Sequence, residues 1–152
     1  LRTLDERILA YDRKISALAK ACEPARRLMA IEGVGPVTAT ALVASVGNAS
    51  AFKSGRQFAA WLGLTPRQNS SGGKTKLGSI SKRGDVTLRT LLIHGTRSVL
   101  RLTTDKTDRK SVWAEALKGR SCANVAAVAL AAKNARIIWA MLSRGTEYQV
   151  AS

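Results

Sequence analysis

Hydrophobic and polar positions recur with a helical period along most of the chain, so the sequence predicts a mainly α-helical fold. In the first 22 residues the apolar side chains alternate at spacings of three and four, as at the a and d positions of a coiled coil. These positions are Leu1, Leu4, Ile8, Tyr11, Ile15, Leu18 and Cys22. The spacing therefore predicts a truncated coiled coil or a helical hairpin at residues 1–23, and a helix packed on its own domain is the alternative. Residues 24–152 are interpreted as the domain proper.

A glycine turn, Gly33-Val34-Gly35, separates two apolar helical segments. Pro36 stands at the first position of the second helix, where its missing N–H has no consequence. The pattern is typical of a helix-hairpin-helix element, in which turn amides and the positive end of the second helix hold a DNA phosphate. Gly33 and Gly35 are therefore candidate nucleic-acid contacts. An ordinary helical hairpin with a glycine turn is the alternative.

Three later segments predict core helices. Residues 52–64 are expected to bury Phe58 and Trp61, because burial explains aromatic residues at helical spacing better than base stacking does. Asp85 is a good N-cap for a helix that runs to about Arg101. After a polar linker at 103–108 and a short helix near 112–118, a long helix over 123–143 ends at Gly145. The side chains expected to be buried in the last two long helices are Val86, Leu88, Leu91, Leu92, Thr96, Val99, Leu100, Val125, Val128, Ala129, Ala132, Ile137, Ile138, Met141 and Leu142.

The stretch 67–85 holds hydroxyls, glycines and basic side chains and almost nothing that can be buried, so it is a loop. Its flanks, residues 65–69 and 76–80, can pair as a short β-hairpin with Ser71-Gly72-Gly73 at the tip. The glycines let the backbone come close to a ligand, and the nearby cations gather anionic oxygens around the hydroxyls. Those cations are Lys74, Lys76, Lys82 and Arg83. The combination suits a phosphate.

The charge balance points to a polyanionic partner. The chain carries 25 Lys+Arg against 10 Asp+Glu, a formal charge of +15 and a pI near 11.0, which favours nucleic acid over a merely basic structural or ribosomal protein. Arg89, Arg97 and Arg101 recur on a second face of their helix, either as a basic stripe along a nucleic-acid backbone or as a solvated face. No apolar run approaches the roughly twenty residues that span a bilayer, so no membrane is expected.

Metal chemistry within this chain is not expected. Cys22 and Cys122 lie far apart, His94 is the single histidine, and the carboxylates are scattered, so no metal site can be assembled. The sparse cysteines and the lack of a signal peptide suggest a reducing cytoplasm. The candidate chemistry is a serine hydroxyl that attacks a phosphodiester, with cations stabilising the transition state. No neighbouring base is visible, and a polar loop that merely touches phosphate is the alternative.

Four ordered motifs carry a family resemblance. They are the run 31–39 (Ile-Glu-Gly-Val-Gly-Pro-Val-Thr-Ala), Phe52-Lys53 with the run 58–66 (Phe-Ala-Ala-Trp-Leu-Gly-Leu-Thr-Pro), the run 70–74 (Ser-Ser-Gly-Gly-Lys), and the run 80–85 (Ile-Ser-Lys-Arg-Gly-Asp) with Leu88-Arg89. This series resembles the C-terminal transposase domain of the Piv-like insertion-sequence transposases of the insertion sequence 110/1111 family. The distal segments 124–126 and 133–136 are similar to one branch of it.

The resemblance implies an enzyme, a DNA recombinase guided by a bridge RNA, whose catalytic serine becomes covalently joined to DNA. Carried over by motif, that serine is Ser71, with Ser70 as its rival. Gly72, Gly73, Lys74, Lys76, Lys82, Arg83 and Arg89 would be nucleic-acid contacts. The family also has an N-terminal RuvC-like domain that binds Mg²⁺ through four acidic residues, and this half is absent from the sequence. A coiled coil connects the two domains in the family, and the resemblance implies that residues 1–23 are the end of this connecting coiled-coil helix. The resemblance further implies homo-oligomers, dimers or tetramers, in the bacterial cytoplasm at the nucleoid, and no strand cleavage by this chain alone. A non-catalytic helix-hairpin-helix module that binds nucleic acid is the alternative.

Overall fold

The computed structural model describes residues 2–71 and 73–149, and it describes residues 69–71 and 74–76 by their backbone alone. The described residues form seven α-helices, one short 3-10 helix at Ala49–Ala51 and one two-stranded antiparallel sheet. The elements are α1 (Arg2–Ala21), α2 (Glu23–Leu28), α3 (Pro36–Val46), α4 (Gly55–Trp61), β1 (Pro66–Ser71), β2 (Lys74–Ile80), α5 (Val86–Leu100), α6 (Arg109–Arg120) and α7 (Ala123–Arg144). The prediction of a mainly α fold with a small hairpin is confirmed.

Polar side chains fix where several helices begin. Asp85 accepts a hydrogen bond from the Leu88 amide at 2.9 Å, which confirms the N-cap predicted for α5. Ser54 caps α4 and Asp108 caps α6 in the same way. At the far end of the chain, Gly145 adopts a left-handed conformation with φ of 65° and ends α7 as predicted.

The core lies between α2, α3, α4, α5 and α7. α7 runs through it and contacts α5, α4 and α6, while α3 packs against α1 and α2. A smaller apolar cluster joins the end of α5 to α6 and the start of α7. The buried side chains that were expected are Phe58, Leu88, Leu92, Thr96, Val99, Leu100, Ile138 and Met141. The buried stripe of α7 is completed by alanines, namely Ala126, Ala127, Ala131 and Ala135.

Three apolar residues that were expected to be buried are exposed. Trp61 is 36% exposed, although its ring lies 5.3 Å from that of Phe52 and 5.8 Å from that of Phe58. Val86 lies in the open first turn of α5, and Val125 is 50% exposed near the start of α7. The buried stripe of α7 combines alanines with Leu130, Ile138 and Met141, and Val125 lies outside it.

α7 also corrects the expectation that no apolar segment is long enough to cross a bilayer. It has 22 residues and a most apolar window with a mean hydropathy of 1.5, and 44% of that window is buried inside the fold. A core helix passes the same length and composition test. Its contacts with α4, α5 and α6 account for this apolar character, and the absence of a membrane partner stays a prediction.

Helix α1 packs against the domain through its C-terminal end only, where Ala19 is fully buried. The coiled-coil positions Leu4, Ile8, Tyr11 and Leu18 are exposed, and Ile15 is half-buried. Leu1 lies outside the described residues. The predicted seam is therefore largely solvent-exposed along α1.

Candidate functional site

The Ser-Gly stretch forms a β-hairpin whose two strands each run two residues further toward the turn than expected, while β1 begins one residue later than expected. β1 and β2 pair with Gln68 opposite Leu77 and with Ser71 opposite Lys74, next to the turn. Arg67, Gln68 and Leu77 are exposed, and Leu77 is 69% exposed. The hairpin therefore carries little buried surface of its own.

Ser71 is the last residue of β1, so its backbone stands at the end of the strand beside the turn. Gly73 in the turn has a φ of 77°, a conformation that favours glycine. The predicted site residue Gly72 lies outside the described residues, and so do the side chains of Ser70, Ser71, Lys74 and Lys76. The position of the serine and of two predicted cations is thus known from the backbone only.

The base of the hairpin, which we call the neck, consists of residues 62–65 and 80–85. Two backbone hydrogen bonds close it: the Ser81 amide donates to the Thr65 carbonyl at 2.8 Å, and the Lys82 amide donates to the Gly63 carbonyl at 3.1 Å. A Cβ atom added to Gly84 would lie 1.8 Å from the carbonyl oxygen of Trp61. The two sides of the neck therefore meet backbone to backbone, which only glycine permits.

The buried side chain of Arg89 in α5 is hydrogen-bonded to the neck. This side chain is 8% exposed, and Nη1 donates a hydrogen bond to the carbonyl of Leu62 at 3.2 Å. The expectation that Arg89 stands on an exposed basic stripe with Arg97 and Arg101 is wrong. Successive steps of eight and four residues rotate around a helix with 3.6 residues per turn, so the three side chains do not share one face.

Two predicted phosphate contacts, Lys82 and Arg83, lie in the neck and are exposed. Lys82 has a φ of 55°, which is uncommon for a residue other than glycine. The Arg83 amide donates to Ser81 Oγ at 3.4 Å. Such backbone conformations concentrate at functional sites and persist where the surrounding structure holds them, as the neck does here.

The second candidate surface is the turn between α2 and α3. Gly33 has a φ of 87° and packs directly on Gly95 of α5, so its role in the fold is explained by close packing. Gly35 is the N-cap of α3, is exposed, and has no atom within 4 Å of an added Cβ. Among the described residues no side chain caps α3, so the first amides of this helix have no side-chain partner and can bind an anion.

Helix α5 joins the two surfaces. Its N-cap, Asp85, follows the neck directly, and Gly95 lies ten residues further along, against Gly33. At a rise of about 1.5 Å per residue, the neck and the α2–α3 turn are about 15 Å apart along α5. One straight helix therefore fixes the spacing between the hairpin and the turn.

No metal centre can be assembled from the side chains in the described ranges, where no three His, Cys, Asp or Glu residues converge. The carboxylate nearest to the hairpin in sequence, Asp85, accepts the hydrogen bond that caps α5. Mg²⁺ needs several oxygen ligands at short distance. The described side chains of this chain therefore do not form a Mg²⁺ site by themselves.

A cleft of about 640 Å³, which the sequence did not indicate, opens between the neck, α5 and α7. Lys82 of the neck, Arg97 of α5 and Arg136 of α7 line it together with apolar side chains. Arg97 belongs to the predicted arginine pattern of α5, and Arg136 belongs to the distal segment 133–136 that resembles one branch of the family. Only the packing of α7 against α5 brings them together, so no local pattern could have found the cleft.

Comparison with known proteins identifies what this chain is similar to. The sequence pattern that describes the transposase IS116/IS110/IS902 family matches residues 25–111. A probable family 20 transposase of Pseudomonas aeruginosa is 56% identical over 98% of this chain and 44% of its own length. The transposase for insertion sequence element IS1111A of Coxiella burnetii is 52% identical over 95% of this chain and 40% of its own length. The transposase for insertion sequence element IS1328 of Yersinia enterocolitica is 39% identical over 95% of this chain and 43% of its own length. The chain thus spans less than half the length of these relatives.

Proposed function

This chain belongs to the transposase IS116/IS110/IS902 family, and from that premise we propose that it is the DNA-binding, serine-bearing domain of an RNA-guided transposase. The observation that carries the proposal is the hairpin. The hairpin holds the backbone of Ser71 opposite that of Lys74 at the end that carries the turn, and the neck anchors its base. A nucleophile on an exposed hairpin can reach a phosphate that the body of the domain cannot enclose.

In the proposed reaction, Ser71 Oγ attacks a DNA phosphorus atom. A bond forms between Oγ and phosphorus, the bond from phosphorus to one deoxyribose oxygen breaks, and the released oxygen leaves with a proton as a hydroxyl group. The serine proton passes to a base outside this chain. Exposed cations of the hairpin and the neck, Lys82 and Arg83 among them, stabilise the negative charge on the phosphate oxygens.

We expect the base and the Mg²⁺ site to come from a RuvC-like domain that completes the site, since the described carboxylates of this chain do not converge. This chain would then bind DNA without cutting it. A bridge RNA that selects the DNA sites is part of the same proposal. Dividing the site between two domains would prevent cleavage before the complex has assembled.

Covalent capture tests the nucleophile. The transposase that carries this chain is incubated with guide RNA, Mg²⁺ and donor and target DNA, then digested, and the nucleotide-bearing peptide is located by mass spectrometry. We expect an adduct on Ser71 that disappears in Ser71→Ala while DNA binding is retained. Ser50→Ala, on an exposed serine of the short 3-10 helix that lies outside the hairpin and the cleft lining, is the control and should keep the adduct. An adduct on Ser70 would move the nucleophile by one residue.

The second candidate function is a non-catalytic nucleic-acid clamp. The uncapped N-terminus of α3 favours it, because that surface can hold a phosphate without any serine chemistry. Under this function Ser71→Ala would leave recombination intact, and loss of Lys82 and Arg83 would weaken DNA binding and its dependence on salt. If the wild type exchanges DNA strands but forms no serine adduct, the chain acts as a clamp and Ser71 is not the nucleophile.

We also propose that α1 forms a homo-oligomer through its exposed coiled-coil positions. Ile8 and Leu9 offer a matched pair of variants, since they are 56% and 55% exposed but only Ile8 lies on the seam. Sedimentation equilibrium should show that Ile8→Lys dissociates the assembly while Leu9→Lys does not. Equal dissociation by both variants, or by neither, would contradict a coiled-coil seam.

A further inference from the structure

Apolar side chains, which we call the floor, and cationic side chains together line the cleft between the neck, α5 and α7. Val125 and Val128 of α7 and Ile93 of α5 line the floor, and Val125 is half exposed although apolar. The volume of about 640 Å³ falls within the range of about 300–1,000 Å³ typical of small-molecule sites. An apolar surface left open in this way favours an occupant with an apolar face.

The charged side chains of the cleft are all cationic. Its lining contains Lys82, Arg89, Arg97 and Arg136 and no carboxylate. A site with four cations and no anion favours an occupant that is negatively charged as well as apolar on one face.

The arginines at the cleft are held in place by hydrogen bonds that leave other donors unused. Arg97 Nη2 donates to Asn124 Oδ1 at 2.7 Å, and Arg136 Nε donates to the Ala132 carbonyl at 3.2 Å. Each guanidinium has five N–H donors, so these bonds orient the group without exhausting it. Oriented guanidinium groups are suited to binding phosphate oxygens through paired hydrogen bonds.

We propose that this cleft binds an unpaired nucleotide of the DNA strand, with the base on the floor of Val125 and Val128 and the phosphates on Arg97 and Arg136. The inference rests on the proposed DNA-binding function and adds a subsite to it. A nucleotide has both the flat apolar face and the negative charge that the lining favours. A base in a duplex keeps its faces stacked, so only an unpaired base can cover the floor.

The hairpin sets where on the strand this nucleotide lies. The cleft reaches Gly78 and Ser79 of β2, and Gly78 is four residues along β2 from Lys74, which pairs with Ser71. At about 3.3 Å per strand residue, the turn end of the hairpin is about 13 Å from the cleft. The DNA strand between the unpaired base and the phosphate that Ser71 meets therefore spans about 13 Å.

The test compares single-stranded and duplex DNA on the same protein. Fluorescence anisotropy measures the binding of an oligothymidine strand and of its duplex with oligoadenosine to the wild type and to Val125→Trp, which fills the cleft from an exposed position. We expect Val125→Trp to weaken single-strand binding about tenfold and duplex binding by less than about twofold. Val112→Trp, an equally exposed valine on α6 outside the cleft lining, should change neither. Circular dichroism confirms that each variant is folded.

A crosslink locates the base independently of any variant. Trp113 of α6 lines the cleft, so a strand that carries 5-iodouracil should form a photo-adduct on the peptide that contains Trp113. The adduct should be absent with the duplex. An adduct only on peptides of the hairpin or of α1 would overturn the assignment of the cleft.

The other outcomes are separable. Equal weakening of single-strand and duplex binding by Val125→Trp, or no weakening of either, overturns the cleft as a subsite for an unpaired base. If Val125→Trp weakens the binding of oligouridine but not of oligothymidine, the occupant of the cleft is RNA. If the substitution weakens only the binding of polyglutamate, the occupant is an acidic protein segment. If the wild type binds no nucleic acid at all, the proposed function itself fails.

Discussion

Gly33 and Gly95 are in backbone contact across the fold: a Cβ atom added to Gly95 would lie 1.8 Å from the carbonyl oxygen of Gly33. A Cβ on Gly33 would in turn lie 2.9 Å from the carbonyl of Gly95, and its φ of 87° disfavours any other residue. The α2–α3 turn therefore rests directly on the middle of α5. This contact holds one candidate DNA surface at a fixed distance from the hairpin.

We expect Gly95→Ala to lower the free energy of unfolding by about 3 kcal/mol, because the methyl group can be accommodated only by moving backbone. Urea denaturation measures the change. Gly119→Ala is the matched control, since Gly119 is also helical but has no atom within 4 Å of an added Cβ. It should raise stability by about 0.5 kcal/mol through helix propensity. A similar gain from Gly95→Ala would contradict the close packing.

Arg89→Met should destabilise the fold by about 2 kcal/mol. The substitution removes the hydrogen bond from Arg89 Nη1 to the carbonyl of Leu62 and leaves that oxygen without its donor in a buried environment. Thermal or urea unfolding measures the effect. Arg101→Met, on an exposed arginine at the end of the same helix, should change stability by less than about 0.5 kcal/mol. Equal effects would mean that Arg89 acts as a surface residue.

Gly35→Asp should raise the free energy of unfolding and lower the affinity for DNA. An aspartate at this extended position, with φ of −87° and ψ of 179°, can cap α3 and raise stability by roughly 0.3 kcal/mol. The same carboxylate would occupy and repel the anion site, so DNA affinity should fall about tenfold. Gly35→Ala lacks both the cap and the charge and should leave affinity nearly unchanged. Unchanged affinity in Gly35→Asp would exclude the α3 N-terminus as a phosphate contact.

Lys110→Met should stabilise the protein at neutral pH. Burial lowers the pKa of the Lys110 ammonium, and Nζ has no hydrogen-bond partner in the described part of the chain. Its nitrogen lies 5.8 Å from the centre of the Tyr148 ring. The gain should be roughly 0.5–1 kcal/mol, because solvent screens a group that is only partly buried. Lys53→Met, on an exposed lysine, is the control.

The sign of the pH dependence follows from that lowered pKa. Between the folded pKa and the ordinary value of 10.5, the unfolded chain binds more protons than the folded chain, so the stability of the wild type rises with pH. The advantage of Lys110→Met is full below the folded pKa and should shrink as the pH approaches 10.5. Urea unfolding at neutral and alkaline pH measures the difference between the two proteins. An advantage that grows with pH would contradict burial of the charged form.

The sequence predicted those parts of the fold that depend on local chemistry. The cap at Asp85, the end of α7 at Gly145 and the pairing of the hairpin strands follow from side chains and glycines within a few residues. The burial of Phe58 also followed from its helical spacing. These features need no knowledge of distant contacts.

Features that depend on packing between distant segments were missed. Val125 was expected to be buried because it is apolar, but the buried stripe of α7 consists largely of alanines that allow close approach. Arg89 was expected on a wet face because it is charged, but the Leu62 carbonyl gives its guanidinium a buried partner. The cleft needs the neck, α5 and α7 together. None of these depends on a local sequence pattern.

Because backbone hydrogen bonds close the neck, the distance from the body of the domain to the end of the hairpin can change only by whole strand residues. Both strands leave the body between Thr65 and Ser81, which the 2.8 Å backbone bond joins, and their pairing shifts register once, between Pro66 and Gln68. Inserting one residue into each strand would carry the end of the hairpin outward by about 3.3 Å and turn every later side chain to the opposite face. Inserting two would restore the face at about twice the displacement. Relatives with hairpins of different length should therefore differ by even numbers of residues per strand if Ser71 is to face the same way.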